Sequence, residues 1–126
     1  PELRVIGCAP TASAVMAESI RQGRVVELPS LPTLSDGSAG GLEADSVTFE
    51  LCQAVVDEWV LVEEDAIAAA MAGVLRARRE AIEGAAGVAV AAWLSRGPRR
   101  VGERAAVVIC GGNVSLSVLK RVLRSC

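Results

Sequence analysis

The stretch AAVVICGGNV, residues 105–114, decides the fold class that this sequence predicts. Its first six residues are apolar and end at Cys110, a pattern typical of a strand buried in a parallel sheet. Gly111 and Gly112 then form a tight turn, and a helix begins after Asn113. Ligands of open α/β sheets bind beyond the carboxyl ends of the strands, next to helix N-termini. The stretch is therefore a candidate ligand site, although a plain connection between a strand and a helix has the same pattern.

The composition favours a small domain, or a part of one, with an aliphatic core. Of 126 residues, 52% are hydrophobic and 2% aromatic, which suits parallel strands covered by helices. The net charge of -2 and the scarcity of aromatic residues argue against nucleic-acid binding. Acidic residues dominate the first half and basic residues the second. This asymmetry favours either two halves that attract each other or a basic surface for an anionic partner.

Cysteine usage, the lack of histidine and hydropathy exclude several kinds of site and location. The four cysteines, Cys8, Cys52, Cys110 and Cys126, form no CxxC pair, and the chain has no histidine. A zinc site and a Ser-His or Cys-His catalytic pair are therefore excluded within this chain. The longest apolar run, residues 84–94, is shorter than the roughly 18 residues that a membrane helix needs. Because no signal pattern is present either, we expect a reduced protein in the cytoplasm.

Hydrophobic periodicity predicts three strands and five helices. The strands are expected at residues 3–8, 59–62 and 105–110, with a possible short extended segment at 25–28. The helices are expected over residues 11–23, 46–57, 63–79 and 84–94 and in the segment after residue 113, and residues 29–41 form a long loop. Thr11 is the expected cap of the first helix and Gly23 its stop. The order predicts a three-layer α/β fold, with a short parallel sheet and helices on both faces.

Four short motifs occur along the chain in one order. Asp36-Gly37 precedes TFEL at 48–51, EGAAG follows at 83–87, and CGGN ends the series at 110–113. Glu83 by itself is equally consistent with a solvated carboxylate at a helix start. Together, the motifs resemble the C-terminal portion of the pyridoxal-phosphate-dependent serine/threonine dehydratases of fold type II. VIG at 5–7 and VEEDAI at 62–67 extend the resemblance over nearly the whole chain.

The resemblance implies a cofactor site at the end of the third predicted strand. Cys110 is expected to face the pyridine nitrogen of pyridoxal phosphate, to which a neutral thiol can donate a weak hydrogen bond. Gly111, Gly112 and Asn113 are expected to shape the pocket. Glu83 is expected near the edge of the ring, and Gly84 is expected to allow close approach to the cofactor. A cysteine at position 110 is similar to the serine dehydratase branch.

The family's Schiff-base lysine and glycine-rich phosphate loop are not found in this sequence. The one lysine, Lys120, is expected on the exposed face of the last helix, as a surface cation near its C-terminus. A metal site is not expected, because residues 9–15, where some relatives carry carboxylates, contain none. We therefore interpret residues 1–126 as the C-terminal segment of the large domain of a dehydratase, inactive alone.

The expected partners of this segment are the missing N-terminal portion of the enzyme and a small hydroxy-amino acid. The complete enzyme is expected to be a homo-oligomer. The alternatives are a non-catalytic remnant or an α/β module that binds a partner. Among enzymes, β-replacement of the cysteine synthase kind is the second possibility.

Overall fold

A computed structural model describes residues 3–97 and 103–124, and these residues form two strands and five α-helices. The strands are β1 (Ile6–Pro10) and β2 (Glu58–Val62). The helices are α1 (Val15–Gln22), α2 (Val47–Val55), α3 (Glu64–Arg78), α4 (Gly84–Ser95) and α5 (Leu116–Arg124). Single 3₁₀ turns occupy Thr11–Ser13 and Asp36–Ser38. The five predicted helices and the first two predicted strands are thus confirmed, each within a few residues.

The two strands pair in parallel, as the alternation of strands and helices predicted. Ile6 lies opposite Glu58 and Pro10 opposite Val62. Gly7 permits this pairing on one face, because a Cβ atom there would lie 2.8 Å from the Trp59 ring. On the other face, Cys8 packs against the main hydrophobic core. The sheet therefore contacts side chains on both of its faces.

The third predicted strand is wrong in the described part of the chain. Residues 103–115 form no strand or helix, and Val108 and Ile109 are 70% and 46% exposed. A strand depends on ladder hydrogen bonds to a neighbouring strand, and the described sheet contains only β1 and β2. The apolar composition that suggested burial is present, but no second strand pairs with the segment.

The core lies mainly between α3 and α4. Ile67, Met71 and Val88 are almost completely buried there. Gly87 brings the two helices together, because a Cβ atom at this position would lie 2.8 Å from Cγ of Met71. The apolar run at residues 84–94 is buried on this side, where Ala86 is fully buried.

The chain connections confirm some local predictions and correct others. α1 ends at Gly23, which adopts the left-handed conformation with φ of 68°, as predicted. Thr11 does not cap that helix; its hydroxyl instead donates to the Glu63 carboxylate at 3.0 Å. Residues 25–28 are not a strand, whereas 29–41 form the predicted loop around one 3₁₀ turn. Lys120 is exposed on α5, as predicted.

None of the helices within 3–97 and 103–124 has both the length and the apolar character needed to cross a membrane.

Candidate functional site

The start of α4 and the turn after residue 110 are joined through their backbones. Glu83 is the residue before the helix and has extended backbone angles. Its N–H donates to the carbonyl of Gly111 at 3.0 Å, and its carbonyl accepts the helix hydrogen bond from Gly87 at 2.9 Å. Two motifs that are 27 residues apart in the sequence therefore meet at one point. The buried Ile82 packs into the core immediately before this point.

The Glu83 carboxylate lies directly beside the predicted cofactor thiol. The Cys110 sulfur donates to Oε1 of Glu83 at 3.6 Å. A Cβ atom at Gly111 would lie 2.4 Å from Oε2 of the same carboxylate, so any larger residue at position 111 would displace the Glu83 side chain from its present position. Glu83 is half-buried and Cys110 is exposed. The structure thus brings together residues of two motifs, EGAAG and CGGN, that the sequence placed far apart.

Gly84 is in close contact with a loop of this same chain. A Cβ atom at Gly84 would lie 1.7 Å from the carbonyl oxygen of Leu34 and 2.7 Å from the backbone nitrogen of Ser35. This contact alone requires glycine at position 84, since backbone atoms cannot rotate away as a flexible side chain can. The expected close approach of Gly84 to a cofactor stays a prediction.

The loop that contacts Gly84 is held by Glu64, at the start of α3. The Glu64 carboxylate accepts hydrogen bonds from the Thr33 hydroxyl and, at 2.8 Å, from the N–H of Leu34. Ser35 is fully buried, and its hydroxyl lies 2.5 Å from that of Ser38. The sequence analysis included Glu64 only in the VEEDAI motif at 62–67 and did not predict this contact. The loop's length, noted as unusual for a compact domain, was the available signal.

The 3₁₀ turn of this loop faces the same carboxylate as Cys110. A Cβ atom at Gly37 would lie 4.0 Å from Oε1 of Glu83. Asp36, which is exposed, accepts a hydrogen bond from the N–H of Gly37 at 2.9 Å. Three motifs that follow one another along the chain therefore lie around the Glu83 carboxylate, which contacts Cys110 directly and has the Asp36-Gly37 turn beside it.

The remaining predicted site residues lie at the periphery of this cluster. Gly112 packs on the backbone of the preceding connection, because a Cβ atom there would be 2.8 Å from the carbonyl oxygen of Ala81. Its own carbonyl accepts a hydrogen bond from Val114 at 3.0 Å, which closes the turn. Asn113 lies between them and is exposed. The predicted roles of both residues in shaping a cofactor pocket stay predictions.

A cleft of about 580 Å³ opens beside Cys110, between β1, α4 and the 103–110 segment. Its lining includes Ile6, Cys8, Ala89, Trp93, Val108 and Cys110. Burial raises the pKa of the Cys8 thiol, and the charge of Arg96 opposes that shift. The cleft is therefore lined by apolar side chains and the exposed Cys110 thiol, together with four charged residues, Arg4, Arg96, Glu103 and Arg104.

The cluster fits part of what pyridoxal phosphate needs. The exposed Cys110 thiol is a hydrogen-bond donor suited to a ring nitrogen, and it lines a cleft whose volume is in the range of about 300–1,000 Å³ usual for ligand sites. The other predicted cofactor residues do not line this cleft: Glu83, Gly84, Gly111, Gly112 and Asn113. A lysine is not part of the cluster, because Lys120 lies on α5 and is exposed. The residues present are therefore suited to contact the ring, while its covalent attachment requires a lysine from elsewhere.

Known proteins resemble this chain along almost its whole length. Residues 1–111 match the family described as pyridoxal-phosphate dependent enzyme. The L-threonine ammonia-lyase of Thermotoga maritima is 38% identical over 123 residues, and the match covers 98% of this chain and 30% of that protein. A putative threonine dehydratase of Sinorhizobium fredii is 34% identical over 124 residues, with 98% and 37% of the two chains covered.

Solved structures of related enzymes share the fold. The processed form of threonine deaminase isoform 2 from Solanum lycopersicum superposes with a TM-score of 0.84 at 30% identity, covering 98% of this chain and 36% of that one. Maize serine racemase superposes with a TM-score of 0.79 at 26% identity, covering 98% and 39%. The expected α/β fold of type II is thereby confirmed.

The chain spans about a third of the length of these relatives. Three of them are named threonine ammonia-lyase, threonine dehydratase and threonine deaminase, which agrees with the dehydratase resemblance of the motifs, and the fourth is named serine racemase. Because the family match extends over residues 1–111 of 126, this chain belongs to the family of pyridoxal-phosphate-dependent enzymes.

Proposed function

We propose that this chain is the C-terminal segment of a large domain in a serine/threonine dehydratase, with its site at Glu83, Cys110 and Gly111. The parent enzyme would convert a small hydroxy-amino acid to a 2-oxo acid and ammonia. The observation that carries the proposal is the contact of the Cys110 thiol with the Glu83 carboxylate, beside which the Asp36-Gly37 turn lies. The relatives named threonine ammonia-lyase and threonine dehydratase support the reaction class.

Each residue of the cluster has a distinct part in this proposal. When bound, pyridoxal phosphate supplies the electron sink that makes the α-proton of an amino acid removable. The Cys110 thiol orients the ring by donating to its nitrogen, and a neutral donor leaves that nitrogen unprotonated. Glu83 contacts the edge of the ring, and without the cofactor its carboxylate accepts the Cys110 S–H at 3.6 Å. When the ring is bound, that S–H is proposed to turn from Glu83 to the ring nitrogen. Gly111, Gly112, Asn113 and Gly84 shape the wall of the pocket.

The lysine and the phosphate-binding loop are assigned to the part of the enzyme outside these 126 residues. Lys120 is exposed on α5, which supports its assignment as a surface cation. The segment is thus proposed to be inactive alone and to work with the N-terminal portion of its enzyme, within a homo-oligomer. The cytoplasm is the proposed location, and the three unpaired cysteines Cys8, Cys52 and Cys110 support a reducing compartment.

A chimera tests the proposed reaction. In it, this chain replaces the matched third of the T. maritima L-threonine ammonia-lyase, and formation of the 2-oxo acid from L-threonine and L-serine is measured. We expect turnover of at least one of the two substrates. In the active chimera, Cys110→Ala should weaken cofactor retention or turnover, because the ring loses its donor, whereas Cys126→Ala should change neither. Equal activity of the two variants would remove Cys110 from the site.

The non-catalytic alternatives give a different result with the chain alone. Pyridoxal phosphate is added, the visible spectrum is recorded, and borohydride reduction is followed by peptide mapping. Stable covalent labelling of Lys120 in the isolated chain would contradict its assignment as a surface cation. Labelling of a lysine in the rest of the chimera supports the segment proposal. A folded chimera that neither binds the cofactor nor turns over substrate would favour a non-catalytic remnant or a partner-binding module.

A further inference from the structure

The loop at residues 29–41 is tied at both of its ends to the turn that follows β1. At the first end, the Ser30 hydroxyl donates to the Ser13 hydroxyl at 2.8 Å. At the second end, the Gly40 N–H donates to the same Ser13 hydroxyl at 3.1 Å. These bonds close the loop at its base. They leave the position of its middle, residues 33–38, to other contacts.

The middle of the loop is held by one side chain in the core and by one carboxylate. The Leu34 side chain is buried in the main hydrophobic core. Glu64, the first residue of α3, accepts hydrogen bonds from the Thr33 hydroxyl and, at 2.8 Å, from the Leu34 N–H. The Thr33 oxygen in turn accepts the N–H of Ser35 at 3.0 Å. Because hydrogen bonds to an ionised acceptor are the stronger kind, Glu64 fixes the backbone of this stretch.

The stretch that Glu64 fixes lies directly against the start of α4. The carbonyl oxygen of Leu34 would be 1.7 Å from a Cβ atom at Gly84, so the two backbones touch. Glu83 precedes this contact by one residue, and its Oε1 would be 4.0 Å from a Cβ atom at Gly37. Any shift of the loop backbone therefore changes the space around the Glu83 carboxylate.

We propose that Glu64 is a positioning residue for the Glu83 carboxylate and, through it, for the cofactor site. This inference rests on the proposed function, which places Glu83 at the edge of the cofactor ring. Glu64 does not line the cleft beside Cys110, and its hydrogen bonds go to the loop. It therefore acts through the loop backbone and not by contact with the ring. Loss of Glu64 moves the loop without releasing it, because Leu34 stays anchored in the core.

Asp65→Ala is the matched control for Glu64→Ala. Both acids lie in the first turn of α3, where a negative charge favours the helix dipole. Asp65 is exposed and makes no hydrogen bond to residues 29–41, all of which the structure describes. Asp65→Ala thus removes the same helix charge and leaves the loop in place.

Hydrogen exchange in the chimera, without added cofactor, tests the first step. The Glu83 N–H donates to the Gly111 carbonyl at 3.0 Å, so its exchange rate reports whether the start of α4 keeps its position. Glu64→Ala should speed this exchange by at least about fivefold, whereas Asp65→Ala should leave it unchanged. Equal rates in Glu64→Ala and the wild type would overturn the proposal.

Cofactor affinity tests the second step. The dissociation constant of pyridoxal phosphate is measured in the chimera by absorbance titration. Glu64→Ala should raise it by at least about fivefold, because misplacement of a site residue by on the order of 1 Å has effects of up to about 100-fold. Faster exchange at Glu83 together with an unchanged dissociation constant would overturn the proposal.

Two conservative variants separate the geometry of Glu64 from its charge. Glu64→Gln keeps the length of the side chain, and its amide oxygen can still accept the Leu34 N–H, so it should lie closer to the wild type than Glu64→Ala does. Glu64→Asp keeps the charge but withdraws it by one methylene, so it should resemble Glu64→Ala. It carries the same expectation if Glu64→Ala fails to fold, which circular dichroism shows. The reverse order of the two variants would overturn the proposal.

A double-mutant cycle distinguishes positioning from a general loss of stability. If Glu64 acts through Glu83, Glu64→Ala should change the dissociation constant by less than about twofold once Glu83→Ala is present. An equal change with and without Glu83→Ala would show that Glu64 does not act through Glu83 and would overturn the proposal.

The outcome is separable from that of the proposed function. An active chimera in which Glu64→Ala leaves the exchange of Glu83 unchanged would refute the positioning role and leave the reaction intact. Faster exchange of Glu83 in a chimera that neither binds the cofactor nor turns over substrate would refute the reaction. It would leave the control of the Glu83 position by Glu64 intact.

Discussion

Gly84→Ala is the substitution for which the structure gives the sharpest expectation. The new Cβ atom would lie 1.7 Å from the carbonyl oxygen of Leu34 and 2.2 Å from its carbonyl carbon, whereas real Cβ contacts are essentially never below 3.0 Å. The loop must therefore retreat by more than about 1 Å. This movement pulls the Leu34 N–H away from the Glu64 carboxylate, which now accepts it at 2.8 Å.

The expected cost follows from these contacts. Overpacking of a tight site costs about 1–3 kcal/mol, and weakening the hydrogen bond to a carboxylate adds about 1 kcal/mol. The higher helix propensity of alanine offsets at most about 1 kcal/mol of this loss in the free energy of unfolding. The free energy of unfolding should therefore fall by about 2 kcal/mol. With a urea dependence of about 2 kcal/mol per M, the unfolding midpoint should fall by about 1 M.

Gly73→Ala is the matched control for this prediction. Gly73 lies inside α3, and a Cβ atom there would meet nothing within 4 Å. Alanine should stabilise this position by about 0.5–1 kcal/mol, because it restricts the unfolded chain and favours the helix. Urea unfolding followed by circular dichroism measures both variants. A midpoint for Gly84→Ala at or above that of the wild type, or equal losses in the two variants, would refute the packing that we describe.

Three further predictions concern side chains around the site and on α1. Glu64→Ala should lower the free energy of unfolding by about 1–3 kcal/mol, because the Leu34 N–H loses its acceptor; an unchanged urea midpoint would contradict that contact. The hydrogen bond from the arginine three residues after Glu18 lowers the pKa of this carboxyl from 4.5 to about 2. The contribution of ionised Glu18 to the stability of α1 should therefore be complete above pH 4.5 and lost as the pH falls toward 2. Glu18→Gln should reduce the loss of helicity on acidification, and an acid titration of helicity identical to that of the wild type would contradict this prediction. A maleimide should modify Cys110 before Cys8, because Cys110 is exposed while burial raises the pKa of the Cys8 thiol. Peptide mapping at successive times measures the order of labelling, and earlier labelling of Cys8 would contradict the prediction.

The sequence by itself determined the features that depend on local chemistry. The stop of α1 at Gly23 follows from the left-handed conformation that glycine adopts readily. The acids at the start of α3 and the arginines in its last turn match the helix dipole. The parallel pairing of β1 with β2 follows from the alternation of strands and helices. Each of these signals lies within one element or in the order of elements.

Only the tertiary structure decided which distant residues meet. That the Glu83 carboxylate is the acceptor of the Cys110 thiol, and that Gly84 contacts the Leu34 carbonyl, depends on packing between elements far apart in the chain. Residues 105–110 have the composition of a buried strand but remain unpaired in the described part of the chain. The apolar composition of a segment indicates only that its side chains are suited to burial. A strand also needs a neighbouring backbone that supplies its hydrogen bonds, and the sequence of the segment alone does not show whether that neighbour is present.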